Sequence, residues 1–518
     1  MTSLPARTWL QQDRGTLATD LVLLSLLAAL SFYACGLGFV GSDDAGYIQA
    51  ARRWVHAIPP VSNFFGDLRY PAILPIAPSI MLFGDNEFSV AVPSLIYAWG
   101  AVVVMYLGMR SISDRATGLI AAGLLSISPL LAGWSTTACV DVCELFFVLA
   151  SLFTFFHATR SHGAWPIFFV SGVAAGLALM SRESSAALLV FYAILFFTDY
   201  GGRRQMFFVM AAGFASVFAL EIASYTFALG DPLHRFRLVF AALNKPDPIR
   251  AVGSVDLTTE RVYNISPLLD PILYSLTHPQ FALVFVFAYV AAASVALRRT
   301  SIAGPAMALF RDWGLMTLLS FLVSAYVLSH LALQARYFLV PLSCAMVVVA
   351  IWLRHSQWLQ NRWARIAAGA ILVLAAVFGQ MIPNKSPLFA EHVLASAAAT
   401  SYEPIHTDPE TKFRGKVFYA WANVETKISA APPRPGDLFL FNPKFAERRT
   451  PRNRDVNMAD YRPRKSWVAQ QTFVEPHTLL ARVVILLHLD ALLPATLAQR
   501  IVQPNPPVTL YRVGTGKE

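Results

Sequence analysis

Two adjacent carboxylates stand in the run Ser42-Asp43-Asp44-Ala45-Gly46-Tyr47-Ile48, directly after the first long apolar stretch of the chain. A carboxylate beside a bound hydroxyl can serve as a general base, and one with free oxygens can hold a divalent cation or orient a hydroxyl. Adjacent residues do not face each other in a helix or strand, so the two acids need different partners. Asp43 is our candidate base; Asp44 is the candidate for orienting an acceptor or binding a divalent metal. The plainer alternative is a solvated helix N-cap, with both acids favoured by the dipole of a helix over Tyr47 to His56. Cations able to grip a phosphate lie far away in sequence, at Arg69, Arg182, Arg336 and Lys245. Arginine binds phosphate through a planar fork, lysine as a point charge. Against that, Arg182 can pair with its neighbour Glu183, and Arg336 can snorkel to a lipid interface.

The elements that carry these residues are membrane helices. The 518 residues are 56% hydrophobic and 14% charged, against about 25% charged in a soluble domain. A span needs about 20 apolar residues. Eleven runs qualify, near 17–40, 88–109, 116–134, 138–157, 165–181, 184–198, 206–229, 279–297, 313–330, 336–353 and 364–383. The first exceeds a signal peptide's apolar region of about 7 to 15 residues, so we expect a retained helix. With the N-terminus inside, every inner segment carries Arg, which satisfies the positive-inside rule. The 41 basic residues against 31 acidic ones then reflect membrane orientation; no segment has a nucleic-acid-binding signature. Cys35, Cys139, Cys143 and Cys344 all lie in apolar segments, which argues against a disulfide framework.

This topology leaves three pieces outside: loops 41–87 and 230–278, and a tail from 384. We expect an all-α polytopic domain over 1–383 and a small α/β soluble domain over 384–518. Strand-like runs begin at Lys416, Asp437 and Val508, separated by Pro-rich turns. Val483 to Ala495 is apolar but interrupted by His488, Asp490 and Pro494, so a core helix is expected there, not a twelfth span. From 384 onward the tail holds 18 Lys and Arg against 12 Asp and Glu, a surplus suited to an anionic neighbour or simply to a basic surface. Gly36, Gly38 and Gly41 spell G-x-G-x-x-G, but no strand precedes them, so a dinucleotide site is rejected.

The acidic pair is followed by an amphipathic stretch, Tyr47-Ile-Gln-Ala-Ala-Arg-Arg-Trp-Val-His, and then by Gly66-Asp67-Leu68-Arg69-Tyr70-Pro71. This order resembles the first outer loop of the GT-C glycosyltransferases. The branch is that of protein O-mannosyltransferases, lipid A aminoarabinose transferases and rhizobial lipopolysaccharide-core sugar transferases, which carry Asp-Glu or Asp-Asp there. Ser135 to Glu144 with Asp141 is similar to the family's helix with an outward Asp. Gly172-Val-Ala-Ala-Gly-Leu-Ala-Leu-Met-Ser-Arg182 is similar to its Gly-x-x-x-Gly-Leu-Ala run, and Ala335 to Pro341 to its Arg-Tyr helix start. The chain departs from the aminoarabinose branch in having Arg69-Tyr70-Pro71 for Lys-Pro-Pro, and from many relatives in having Arg182 for Lys.

The resemblance implies a multi-pass enzyme of the bacterial inner membrane that moves a sugar from a polyprenyl-phosphate donor to an envelope glycolipid, glycan or protein. The topology argues the same way: nucleotide sugars are absent outside, so an activated sugar must arrive dissolved in the bilayer. Arg69, Arg182, Arg336 and Lys245 then bind the donor phosphate, Asp141, Tyr47 and Tyr70 are the candidates for sugar contact, and one base suffices for inversion. Asp141 can equally make a structural hydrogen bond. No cofactor is established by the resemblance; a divalent cation at Asp44 is the one candidate. The other class weighed is a transporter or flippase of lipid-linked substrates, which would place its charges near the midplane.

Overall fold

The computed structural model describes residues 14–57, 65–160, 165–202, 204–243, 266, 268–297, 301–302, 304–327, 333–359, 361–382, 386–446 and 456–514. Lys245 lies outside them. The membrane part runs through α1 (Arg14–Cys35), α2 (Asp43–His56), α3 (Tyr70–Ile73), α4 (Ile76–Phe83), α5 (Glu87–Ile112), α6 (Arg115–Ser126), α7 (Pro129–Trp134), α8 (Val140–Arg160) and α9 (Trp165–Ser181). It continues through α10 (Ala186–Phe197), α11 (Arg204–Leu229), α12 (His234–Leu243), α13 (Asp270–Thr277), α14 (Ala282–Ala296), α15 (Pro305–Leu322), α16 (Leu339–His355) and α17 (Arg362–Met381).

Among the described residues, seven helices are long and apolar enough to cross a bilayer, or eight if the bent pair of α13 and α14 counts as one span. That corrects the expected eleven. The runs at 116–134, 165–181 and 184–198 fold as α6, α9 and α10, of 12, 17 and 12 residues. Pro129 and the Arg182–Ser185 turn cut the apolar stretches before they reach full length.

The centre of the bundle is α16, apolar on every face and buried from Leu339 to Leu353. Lipid hydrocarbon is as apolar as leucine, so packing between spans depends on close approach of small residues. That accounts for the glycine run of α9. A Cβ on Gly172 would meet the Met210 carbonyl oxygen of α11 at 1.8 Å, and one on Gly213 of α11 would meet the Phe169 carbonyl at 2.2 Å.

The tail packs α18 (Phe389–Thr400), α19 (Pro409–Arg414) and α20 (Lys416–Trp421) on a mixed sheet. Its strands are β1 (Ile405–His406), β2 (Ile428–Ser429), β3 (Leu438–Phe441), β4 (Val468–Phe473) and β5 (Val508–Arg512), in the order β2-β1-β3-β5-β4. β1 is parallel to β2 and β3, and β5 is antiparallel to β3 and β4. The strands expected at Asp437 and Val508 are present; the one expected at Lys416 is helix. A short apolar run does not distinguish strand from buried helix by period, and here Ala420 and Trp421 extend it while Phe418 and Trp421 turn one face to Phe39. The 483–495 stretch breaks at His488, whose φ is +51°, into two short helical pieces.

The tail shares a hydrophobic core with the segment between α1 and α5: Phe39, Tyr47, Ile48, Ile73 and Ile76 pack with Leu388, Leu394, Phe418 and Tyr419. At the seam Gly41 has φ +68°, and a Cβ there would lie 2.6 Å from the Arg414 carbonyl oxygen. Glycine is required on both counts.

Gly172→Val should overpack the α9–α11 contact at a cost of about 1–3 kcal/mol, read as a lower thermal unfolding temperature in detergent. Gly123→Ala, which has open space around it, is the control. Equal melting of the two variants would contradict the contact.

Candidate active site

The loop between α1 and α2 is wrapped around one carboxylate. Asp44 accepts hydrogen bonds from the backbone N–H groups of Val40 (2.6 Å), Gly41 (3.2 Å), Ser42 (2.6 Å) and Ala45 (3.1 Å), and from the Thr137 hydroxyl (3.2 Å). Five donors occupy both oxygens of a buried group. This changes the reading of Asp44: it is a keystone of the loop, with no oxygen left for an acceptor or a cation. Ser42, at the N-cap position, makes no side-chain cap, while both acids stand in the first turn of α2, where the helix dipole favours them.

Asp43 points elsewhere. Its side chain is 48% exposed, and Oδ2 accepts from the Arg336 guanidinium at 2.6 Å. Burial alone would raise this carboxyl, but Arg336, helped by Arg69 and Arg182, outweighs it and holds the group below its ordinary value.

The structure brings Arg69, Arg182 and Arg336 together from three separate elements. Their side chains are 14%, 7% and 13% exposed, so all three are largely desolvated. Arg182 sits between α9 and the turn leading to α10, pairs with Asp141 and lies over the Tyr337 ring at 4.0 Å. Arg336 bonds to Gln334 at 2.7 Å and lies 5.3 Å from the centre of the Trp134 ring. Arg69 donates to the Tyr47 hydroxyl at 2.7 Å and faces Glu183 at 3.4 Å. Burial, together with its two guanidinium neighbours, pushes Arg182 down, yet a guanidinium stays charged at biological pH. Glu183 thus pairs with Arg69 and not with its neighbour Arg182, and Arg336 is pinned by Asp43 and does not snorkel.

Two candidates for sugar contact have other partners. Asp141 is the buried counter-ion of Arg182, with Arg336 at 4.0 Å. Tyr70 packs edge-on against Trp54 at 5.7 Å and lies 6.3 Å from Tyr225, so it braces the wall. Tyr47 is buried under Arg69.

The residues do not fit a resident divalent cation. Asp44 is saturated, Asp43 is held by Arg336, three guanidinium groups surround the place, and no cluster of three His, Cys, Asp or Glu able to ligate a metal occurs among the described residues.

Several supports escape the sequence reading. Glu144 accepts from Ser184 (2.5 Å) and Ser185 (2.9 Å), which fixes the turn that follows Arg182. The segment bearing Arg69 is clamped from both sides: Arg53 pairs with Asp67, while Arg235 of α12 donates to the Leu68 carbonyl at 2.6 Å and to both oxygens of Glu221 at 2.8 and 2.7 Å. The members of each clamp are 14 or more residues apart, and nothing local in the sequence joins them.

Residues 73–226 match the family model described as dolichyl-phosphate-mannose-protein mannosyltransferase. Among solved structures the chain is similar to ArnT from Cupriavidus metallidurans in the apo state, at 11% identity and TM-score 0.51, over 83% of this chain and 94% of that one. It is similar also to the same protein bound to undecaprenyl phosphate, at 12% identity and TM-score 0.50, over 83% and 93%. The oligosaccharyltransferase of Archaeoglobus fulgidus in the apo form aligns at 14% identity and TM-score 0.45, over 82% of this chain and 65% of its own. No curated protein matches the sequence. The fold is like that of ArnT, and the segment that matches the mannosyltransferase family model runs from the end of α3 through most of α11.

Two outcomes follow. Because its pKa is lowered, Asp43 is ionised throughout the neutral range and loses its charge only as pH falls through that lowered value. If it is the base, kcat/KM is flat at neutrality and declines below about pH 4. In the residual activity of Arg336→Gln the acid limb moves to higher pH, since burial is then less opposed; a limb that stays in place means another group titrates. The double variant Glu221→Gln/Arg235→Gln, which strands no buried charge, should raise KM for a lipid-phosphate donor about tenfold, about 1.4 kcal/mol, with a smaller change in kcat.

Proposed function

We propose that the chain transfers a sugar from a polyprenyl-phosphate donor to a hydroxyl of an extracytoplasmic acceptor, with inversion at the anomeric carbon. The observation that carries this is the convergence of Arg69, Arg182 and Arg336 on a cluster in which the half-exposed carboxylate Asp43 faces Arg336. The ArnT structure bound to undecaprenyl phosphate supports the choice of donor by fold likeness.

In this reading the phosphate of the donor lies among the three guanidinium groups, which bind it through charge-assisted bonds and stabilise the charge that grows on it as it leaves. The acceptor oxygen attacks the anomeric carbon from the opposite face. Its proton passes to Asp43, the bond from the anomeric carbon to the phosphate oxygen breaks, and polyprenyl phosphate departs. Phosphate is a good leaving group, so most of the acceleration comes from positioning and electrostatics. One base suffices for direct displacement; a retaining route would need a second carboxylate beside the reacting carbon, and Asp44, Asp141 and Glu183 have other partners, in the loop backbone, Arg182 and Arg69 respectively.

We assign the site and the tail to the periplasmic side of a bacterial inner membrane. There α6, α9 and α10 join the longer helices as tilted or partial spans, residues 1–383 form the catalytic membrane domain, and 384–518 form the outer domain. Lys245, on the second outer loop, is a further candidate for the phosphate. Acceptors in keeping with this placement are an envelope glycolipid, a glycan or a protein hydroxyl. A transporter of lipid-linked substrates is less well supported, because the charged cluster stands at the ends of α9 and α16 and not within a broken midplane helix.

The test is purified protein in nanodiscs with a panel of synthetic polyprenyl-phosphate sugars, followed by release of polyprenyl phosphate. Asp43→Asn should reduce transfer by about 10²–10⁴ in a protein that still folds, with a lower unfolding temperature from loss of the Arg336 pair. Asp44→Asn should lower the unfolding temperature, since its amide turns a donor toward backbone N–H groups. A fully active Asp43→Asn removes the assignment of the base.

A further inference from the structure

The α19–α20 corner has two sides. On one, the Arg414 carbonyl supports Gly41, and Phe418 and Trp421 hold Phe39 with ring centres 5.1 and 5.9 Å away, so this corner seats the loop that bears Asp43. The other side is hollow. A cavity of about 510 Å³ is lined there by Pro409, Lys412, Phe413, Lys416, Tyr419 and Glu425, within the range of about 300–1,000 Å³ usual for small-ligand sites.

The lining has a definite chemistry. Phe413 is 42% exposed although it belongs to an ordered corner. Tyr419 is buried, with its hydroxyl donating to the Thr411 carbonyl at 3.0 Å, so its ring is fixed. The third cation of the corner, Arg414, is occupied by Glu410 at 2.7 Å. The ammonium groups of Lys412 and Lys416 make no ion pair or hydrogen bond among the described residues, so their charges are available to a ligand. An aromatic face accepts the C–H side of a pyranose ring, two ammonium groups answer a carboxylate or phosphate on it, and Glu425 can accept from a sugar hydroxyl.

We propose that this cavity binds an anionic sugar unit of the acceptor, a carboxylated or phosphorylated glycan, and so anchors the acceptor to the domain that seats the Asp43 loop. The assignment rests on the glycosyl-transfer reading above and names the acceptor class for it. The tail is then the acceptor-recognition element, joined to the catalytic loop through the Gly41–Arg414 contact.

The experiment uses the full chain in phosphatidylcholine nanodiscs. A deacylated acidic core oligosaccharide is titrated in, with its dephosphorylated and carboxyl-reduced form as the neutral control. Wild type should bind the acidic form at least tenfold more tightly, and Lys412→Glu/Lys416→Glu should lose that preference. Hydrolysis of a polyprenyl-phosphate sugar to water, which needs no acceptor, should be the same in both. Equal oligosaccharide binding by the double variant would overturn the proposal. So would competition by phosphatidylglycerol vesicles with no oligosaccharide binding, since the lysines would then serve lipid headgroups. Donor hydrolysis that is absent from wild type would count instead against the transfer reaction and leave the binding result to be judged by itself.

Discussion

Three guanidinium groups held together with little water around them are the constraint that the rest of the structure answers. Like charges in a poorly solvated place repel strongly, so each arginine needs a counter-charge and a rigid support. Asp141 answers Arg182, Glu183 answers Arg69, and Asp43 answers Arg336. The faces of Tyr337 and Trp134 add cation–π contact without adding charge. Of the three carboxylates Asp141 is buried, whereas Asp43 and Glu183 are about half exposed. An arriving anion can therefore displace the latter two without stranding a charge in the interior.

The supports lie on opposite flanks and differ in kind. On one, the tail and the loop after α1 share a core, and Asp44 gathers four backbone N–H groups into a tight turn. Asp43, one residue earlier, faces the other way and accepts from Arg336. On the other, α12 reaches back through Arg235 to the carbonyl beside Arg69, and leaves Phe236 and Phe240 exposed on its apolar side. A helix with that pattern suits the headgroup layer of a bilayer, and through Arg235 it is joined to the segment that places Arg69.

Periodicity and charge located most of the helices and the residues that meet in the site, because a span and a boundary arginine are local signals. Lengths were less legible. Pro129 and the Arg182–Ser185 turn shorten helices in ways that a hydropathy run hides, and α20 shows that four apolar residues do not declare their period. The roles of the two aspartates could not be separated from sequence, since their difference is made by Thr137 and Arg336, far along the chain. The same is true of Asp141: its type and boundary position were visible, but its partner Arg182 was an independent candidate for a different task. Pairings across the chain are what a single sequence conceals.

The division of labour between the aspartates bears on how a carboxylate held below its ordinary range can act as a base at all. A base works best when its proton affinity approaches that of its surroundings, and Asp43 in the empty site is too well stabilised for that. Yet its stabilisation comes from Arg336, the residue assigned to the phosphate. Three arginines against Asp43, Asp141 and Glu183 leave the empty cluster neutral; a bound phosphodiester adds a negative charge and draws Arg336 to itself. Each effect raises the proton affinity of Asp43 at the moment an acceptor hydroxyl stands beside it. On the proposed assignment of Asp43 as the base, its tight pairing with Arg336 in the resting state suits the chemistry, since the group would become basic only with the donor in place.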